Sequence, residues 1–286
     1  MNAKFAKIAS IQRDNMLMNS DFKSGIINQK SQSSYAYVDK PLLTADGWIS
    51  YGVNVGIETN TLKIVNRKPE AHTLKQKLDR AYPNQVYTVA VYVASVTGNV
   101  YVNFNSETSL NKKLVAGLNV FQMTPISTLG EFVFFLETNA EIKINFAKVE
   151  PGQNYTGMPL WNKPLELKKC SYRYNEIRGI RAYYCEKNNI KDNKSYYFSI
   201  PRTVVMDKVP SVSVRGDTSV NSTNGICLRA ANAVNKLIFI SRYDFEIRPY
   251  EVLVRVYVTN DTDVENIDAQ LFLGDNFVIC LDTYDY

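Results

Sequence analysis

The chain is short of histidine: His72 is the only one among 286 residues. That absence excludes Ser-His-Asp triads and zinc sites built on paired histidines. Cysteine is scarce and unpaired. Cys170, Cys185, Cys227 and Cys280 all lie in the second half, and none forms a CxxC pair. Four such thiols fit a protein folded in a reducing cytoplasm, where a buried free cysteine acts as a small hydrophobe. No apolar run reaches the roughly 18 residues of a membrane-spanning helix, so no membrane insertion is expected. The first 13 residues hold lysines but no apolar core or small-residue cleavage site, so no secretory signal is expected. Charge of one sign is also missing. Lys and Arg total 33 against 28 Asp and Glu, and the basic residues gather no further than short pairs such as Lys112-Lys113 and Lys168-Lys169. A nucleic-acid binder concentrates its charge in a stripe, so nucleic acid is not an expected partner. GxSxG, HExxH, P-loop and GxGxxG motifs are absent.

What is present is strand-forming. There are 19 Tyr and 13 Phe but only 6 Met, and aromatic and branched residues favour strands. Val86–Val93 (VYTVAVYV) and Asn99–Asn105 (NVYVNFN) flank Gly98-Asn99, a turn signal that reads as a hairpin. In Glu141–Val149, Ile142, Ile144 and Phe146 fall on one face and Glu141, Lys143 and Asn145 on the other. Glu251–Val258 repeats the pattern with Val252, Val254, Val256 and Val258. Period-2 alternation with one polar face predicts antiparallel sheets wetted on one side. The fold class expected is all-β, with two antiparallel β-sandwich domains. Pro151-Gly152 closes the first sandwich, and a two-proline bridge over 159–170 with about one helical turn precedes the second. The boundaries drawn are 1–15 for an N-terminal arm, 16–165 for the first domain and 166–286 for the second. The arm carries Lys4, Phe5, Lys7, Ile8 and Ile11. It is too short for a stable helix, so it either frays or serves as an attachment peptide ordered by a partner.

No catalytic, metal or cofactor site emerges. His72 sits in the polar stretch Pro69–Thr73 and reads as a surface loop residue. Carboxylates are plentiful, but no spacing singles out a glycosidase pair. Asn260–Asp263 lacks the glycine and distal Glu of an EF-hand loop and reads as a solvated turn. The acidic, aromatic tail 282–286 reads as an exposed extension or a subunit contact. Aromatics carry the other chemistry. Exposed rings stack on the C–H faces of sugars while neighbouring amides hydrogen-bond the hydroxyls. Tyr82, Tyr87, Tyr101 and Asn103 are the candidates on an outer face, whereas Trp48 and Trp161 read as core.

Several landmarks, in order, resemble a bacteriophage fibre family. Met16–Phe22 (MLMNSDF), then Ile27-Asn28-Gln29 and Asp46-Gly47-Trp48, are similar to its "N-x-DF … NQ … DxW" opening. Phe146–Gly152 is similar to its "KLE-x-G" strand and turn. Glu166–Tyr174 resembles "E-x-x-x-C-x-R-Y" with one extra residue between Cys170 and Arg173, and Ile200–Arg202 with Val209–Val212 resembles "M-R … P-S-V". The resemblance spans roughly residues 16–215. It implies that the first domain is a carbohydrate-binding-module-like jelly roll. It also implies a virion protein of tail or head fibres, often a homotrimer, made in the bacterial host cytoplasm and contacting host surface glycans. The family has no shared catalytic residues. The chain has no long fibrous shaft, which favours a short appendage such as a head fibre, with the arm reaching capsid or tail proteins. The alternatives are a stand-alone, non-catalytic carbohydrate-binding module and a glycan-cleaving tailspike-type hydrolase.

Overall fold

A computed structural model describes residues 13–78, 82–177, 181–184, 195–202, 206, 209–222, 225–230, 237–248, 250–258, 269–274 and 277–282. Their regular secondary structure is nearly all strand, and they form two compact units that divide between Cys170 and Ser171. The arm residues Lys4, Phe5, Lys7, Ile8 and Ile11, and Cys185, lie outside the described residues.

The first unit holds twelve strands among its described residues: β1 (Ser34–Tyr35), β2 (Leu42–Leu43), β3 (Ile49–Tyr51), β4 (Asn54–Glu58), β5 (Thr61–Val65), β6 (His72–Lys77), β7 (Tyr87–Thr97), β8 (Val100–Phe104), β9 (Lys112–Lys113), β10 (Gly117–Met123), β11 (Glu131–Leu136) and β12 (Glu141–Pro151). They make two six-stranded antiparallel sheets. The front sheet runs β2-β3-β6-β11-β8-β9 and the back sheet β1-β4-β5-β12-β7-β10. Strands alternate between the sheets along much of the chain, which is the jelly-roll arrangement. The inward side chains of both sheets share one core. Trp48 is stacked near Phe134 at 5.8 Å and edge-on to Phe132 at 6.1 Å, among Leu74, Val89, Val91, Val102 and Ile144.

Three local expectations are corrected here. The runs around Gly98-Asn99 are not a hairpin. β7 belongs to the back sheet and β8 to the front, so the turn is a corner between sheets. Gly98 makes it with φ 75°, and a Cβ there would come within 3.1 Å of Ala140 Cα. In β12 the alternation changes phase. Register shifts lie on both sides of Ile144, so Ile142 and Ile144 face inward, then Ala147 and Val149, while Phe146 turns outward opposite Tyr92. Beyond that bulge, residues 15–23 take the place beside β12 that β5 holds before it. Met16 N–H donates to Val149 O, Ala147 N–H to Ser20 O and Lys23 N–H to Asn145 O, each at 2.9 Å. Third, His72 is not a surface loop residue. It opens β6, is buried, and packs against Tyr37 and Tyr51.

The bridge is more helical than one turn: α1 spans Lys163–Ser171. Asn162 caps it, its Oδ1 accepting from Leu165 N–H at 3.1 Å, and Pro164 sits in the first turn, where no N–H is required.

The second unit holds β13 (Tyr174–Ile177), β14 (Arg181–Tyr184), β15 (Ser195–Pro201), β16 (Ser211–Gly216), β17 (Ile226–Ala230), β18 (Leu237–Ile238), β19 (Ile240–Ile247), β20 (Glu251–Val258), β21 (Ala269–Leu273) and β22 (Phe277–Asp282). Its sheets, β13-β22-β16, β14-β21-β17-β18 and β15-β20-β19, are antiparallel and share one core. The four valines of β20 are buried in that core, as their alternation predicts. Cys170, Cys227 and Cys280 are buried thiols, none in a disulfide among the described residues.

Candidate functional site

The sequence landmarks converge on a buried knot of polar groups in the first unit. Asn19 is its centre, with left-handed φ of 48°, a conformation that asparagine tolerates. Its Nδ2 donates to Ile27 O at 2.7 Å and Asp46 O at 2.8 Å, and its Oδ1 accepts from Ile27 N–H at 2.6 Å. Its carbonyl accepts from Trp48 Nε1 at 2.9 Å, and its N–H donates to Glu166 Oε2 at 2.8 Å. Asp46 receives Gln29 through Nε2 at 2.8 Å and the backbone N–H at 3.1 Å. Gln76, inward on β6, exchanges two bonds with the Met18 backbone. Gly47 has φ 91°, and a Cβ there would meet Met18 Cγ at 2.8 Å. The knot therefore spends its polar groups on the fold. A cleft of about 120 Å³ beside it is lined by Asp14, Asn15, Trp161, Glu166 and Lys169. Glu166 is already engaged by Asn19 and by Lys169 at 2.8 Å. Trp161 is half-buried against the Met18, Ile27 and Cys170 cluster.

The two outer faces of the sandwich differ. On the back sheet, charges are matched. Lys63 pairs with Glu141 at 2.9 Å, Lys143 with Glu58 at 2.8 Å, and Lys148 with Glu150 at 3.1 Å. The last pair is fully buried beneath residues 155–157. Lys148 Nζ also donates to Thr156 Oγ1 at 2.9 Å and Gly157 O at 2.6 Å, and Glu150 accepts from Thr156 N–H at 2.8 Å and its hydroxyl at 2.5 Å. Tyr155 stacks parallel to Phe146 at 6.5 Å. Burial raises its pKa, as do the carboxylates Glu150 and Asp21. At the β10 edge, Leu118, Val120 and Tyr92 are exposed.

The front sheet presents a row of rings. Its outward positions are those between the inward residues Leu74, Val102, Phe132 and Phe134. The cross-strand register aligns Tyr51, Thr73, Phe135, Tyr101 and Lys113. With strands about 4.8 Å apart, Tyr51 to Tyr101 spans about 14 Å. Tyr51 is 47% exposed; Phe135 and Tyr101 are half-exposed with ring centroids 6.3 Å apart. The next row is Leu43, Ile49, Lys75, Val133 and Asn103. Ile49 and Val133 are buried between the longer side chains and make an apolar floor. Asn103 Nδ2 donates to Asn111 Oδ1 at 2.7 Å, while its Oδ1, buried, has no hydrogen-bond partner among the described residues. Lys75 Nζ meets Glu131 Oε1 at 3.0 Å.

The four sequence candidates separate accordingly. Tyr101 and Asn103 share the front face. Asn103 is flush with the sheet, 3% exposed. Tyr87 is corrected: it is a core residue, stacked on Phe104 at 5.3 Å, with its hydroxyl accepting from Tyr82 N–H at 2.8 Å. It falls in phase with Val89, Val91 and Val93, all inward. Tyr82 is exposed, but in the β6–β7 connection rather than on a sheet. Tyr51, Phe135 and Lys75 were missed. Alternation in EFVFFL marks Phe135 as outward, but a run of apolar residues conceals it. No group of three or more metal-ligating side chains occurs among the described residues, and no helix there is long and apolar enough to cross a membrane.

No protein-family profile and no curated protein matches the chain. Among solved structures, a mutant of the family 29 carbohydrate-binding module CBM29-2 is 10% identical, covering 46% of this chain and 90% of its own, with TM-score 0.30. The tandem CBM22-1–CBM22-2 of Paenibacillus barcinonensis Xyn10C is 13% identical, covering 87% and 100%, with TM-score 0.25. Neither is a bacteriophage fibre, and overlaps this shallow say nothing about ligand or activity.

Proposed function

We propose that the chain is a non-catalytic glycan-binding protein whose ligand lies along the front face of the first unit. The observation that carries this reading is the row Tyr51–Thr73–Phe135–Tyr101 with Asn103 beside it. Rings give flat apolar contact at low entropic cost, and the adjacent amide oxygen accepts from a sugar hydroxyl. Its span of about 14 Å suits a chain of sugars better than a single ring. The test is a glycan array probed with the full chain and with Tyr101→Ala/Phe135→Ala. Retention that disappears in the double variant, with unchanged thermal unfolding, supports the assignment. Equal retention by both proteins removes it.

The finer reading makes this protein a bacteriophage appendage of the head-fibre or tail-fibre type. It rests on the ordered landmarks from Met16 to Val212 and not on the front face. In that reading the assembly is a homotrimer, residues 1–15 join it to capsid or tail proteins, and the location is the virion. The exposed Leu118, Val120 and Tyr92 are the apolar surface a second copy would cover. Mass spectrometry of purified particles tests the location, sedimentation at micromolar concentration tests the trimer, and deletion of residues 1–15 tests the attachment. A folded, truncated oligomer absent from particles is the expected result.

A further inference from the structure

We infer that the front face is selective for glycans with N-acetylated sugars, the acetamido group seated on Asn103 and Val133; this rests on the glycan-binding reading and names the ligand class of that same face. Asn103 is 3% exposed and lies flush with the sheet beside the ring row. Its Nδ2 is spent on Asn111 Oδ1 at 2.7 Å. That bond fixes the amide, because turning it over sets Asn103 Oδ1 against Asn111 Oδ1. The group left over, Oδ1, is buried and has no hydrogen-bond partner among the described residues. A buried amide oxygen in that state carries a cost that a donor relieves. The ligand must therefore bring an N–H or O–H to this point. Oδ1 is shielded from water, so a donor that shifts a neighbouring side chain to reach it meets no competing water.

The neighbour decides which donor fits. Val133 stands directly opposite Asn103, where Cβ atoms are about 5 Å apart, and it is buried. Acceptor and apolar floor thus lie side by side. In a trans amide the N–H and the methyl share one edge, about 2.4 Å from nitrogen to methyl carbon, and the carbonyl takes the other edge. That edge matches Asn103 beside Val133 and turns the carbonyl toward solvent. A hydroxyl brings the donor without the methyl. A carboxylate sets acceptor against acceptor, two residues along the same face of β11 from Glu131. An ammonium gives up its water beside an apolar side chain, and Glu131 is already held by Lys75 at 3.0 Å. Tyr101 and Phe135 are the next outward residues on the same two strands, about 7 Å along. A pyranose stacked on those rings directs a ring substituent onto Asn103 and Val133.

The experiment probes a glycan array with the full chain. The array is printed in matched sets of glucose and galactose chains that differ only in carrying an acetamido, a hydroxyl or a free amine at one ring position, and the best-held set is then titrated in solution. Wild type is expected to bind the acetamido member at least about tenfold tighter than its hydroxyl partner, the scale of one buried hydrogen bond restored. Asn103→Ala is expected to bring the two members near parity. Asn111→Ala frees the Asn103 amide to turn over and is expected to shrink the ratio several-fold, which keeps the test decisive if Asn103→Ala fails to fold. Val133→Thr keeps the shape but adds a hydroxyl to the floor, and moves the ratio in the same direction. Tyr101→Ala/Phe135→Ala is expected to weaken both members alike and leave the ratio unchanged. Equal binding of acetamido and hydroxyl members by wild type overturns the inference and leaves the glycan reading standing. An amine member bound as tightly as the acetamido member also overturns it, and so does an acetamido preference that Asn111→Ala and Val133→Thr leave unmoved. Failure of every glycan to bind overturns the glycan reading and this inference together.

Discussion

The back face of the first sandwich is covered and charge-matched, and its front face presents a row of exposed and half-exposed rings. Both faces come from one jelly roll with one core, so the difference is not a consequence of fold. The buried Lys148–Glu150 pair shows what a structural polar group looks like: every donor and acceptor close by is spent on Thr156 or Gly157. Asn103 shows the opposite, an amide oxygen with no partner among the described residues. Satisfied groups hold a fold together, and an unspent one beside exposed rings is the group that the proposed glycan would engage.

The sharpest way to break this comparison is to remove one charge from each face. Lys148→Met strands the Glu150 carboxylate in the interior and should cost ~3–5 kcal/mol of stability. Lys113→Gln should stay within about 0.5 kcal/mol. Equal midpoints in urea for both variants would show that the back pair is not structural. Next in size is the pair of tyrosines that the alternation of β7 and β8 places on opposite sides. Tyr87→Ala opens a cavity beside Phe104 and should cost about 3–5 kcal/mol, without any specific effect on ligand. Tyr101→Ala should leave unfolding nearly unchanged and weaken glycan binding about tenfold, or ~1.4 kcal/mol. Isothermal titration and thermal melts on both proteins read the two effects separately.

The knot gives a third contrast. Asn19→Ala removes three side-chain hydrogen bonds from buried backbone groups and should cost roughly 2–3 kcal/mol. The family-like landmarks would then prove to be stability determinants, with glycan binding unaffected in the protein that remains folded. The smallest effect concerns pH. Burial, with Glu150 and Asp21 nearby, holds the Tyr155 phenol above its usual value of 10.0. The folded chain therefore keeps that proton more tightly than the unfolded chain. Its contribution is complete below about pH 10 and is lost as pH climbs through the raised value. Tyr155→Phe should flatten the alkaline limb of a stability profile; an unchanged limb would place Tyr155 in solvent.

Much of the scaffold was legible because alternation is a local signal. β20 displays it over eight residues, and the NVYVNFN run sorts Val100, Val102 and Phe104 from Tyr101 and Asn103 correctly. Failures came where inward positions are not apolar. β6 (HTLKQK) turns His72, Leu74 and Gln76 inward, so only one hydrophobe announces it. Gln76 is tolerated there because Met18's backbone consumes its amide, a partner 58 residues away that no window reveals. The β12 phase change was hidden for a similar reason, since a bulge flips sidedness without altering composition. Of the candidate site, Tyr101 was readable from its own strand. Its alignment with Phe135, Thr73 and Tyr51 depends on register between strands far apart in sequence.

The seating of residues 15–23 beside the last part of β12 bears on how the chain is made. Those residues leave the ribosome well before their hydrogen-bond partners at 145–149, and Asn19 waits for Glu166. Contacts of such long sequence separation are slow to form, because a large loop must be closed before any bond rewards it. The first unit thus cannot complete its sheet during synthesis until the end of β12 is available, nor its polar knot until α1 is. The core strands between must collapse around an unfinished edge. Slowing translation just beyond Cys170 should raise the yield of folded protein, and truncation before residue 145 should give a product that aggregates through β12's vacant neighbours.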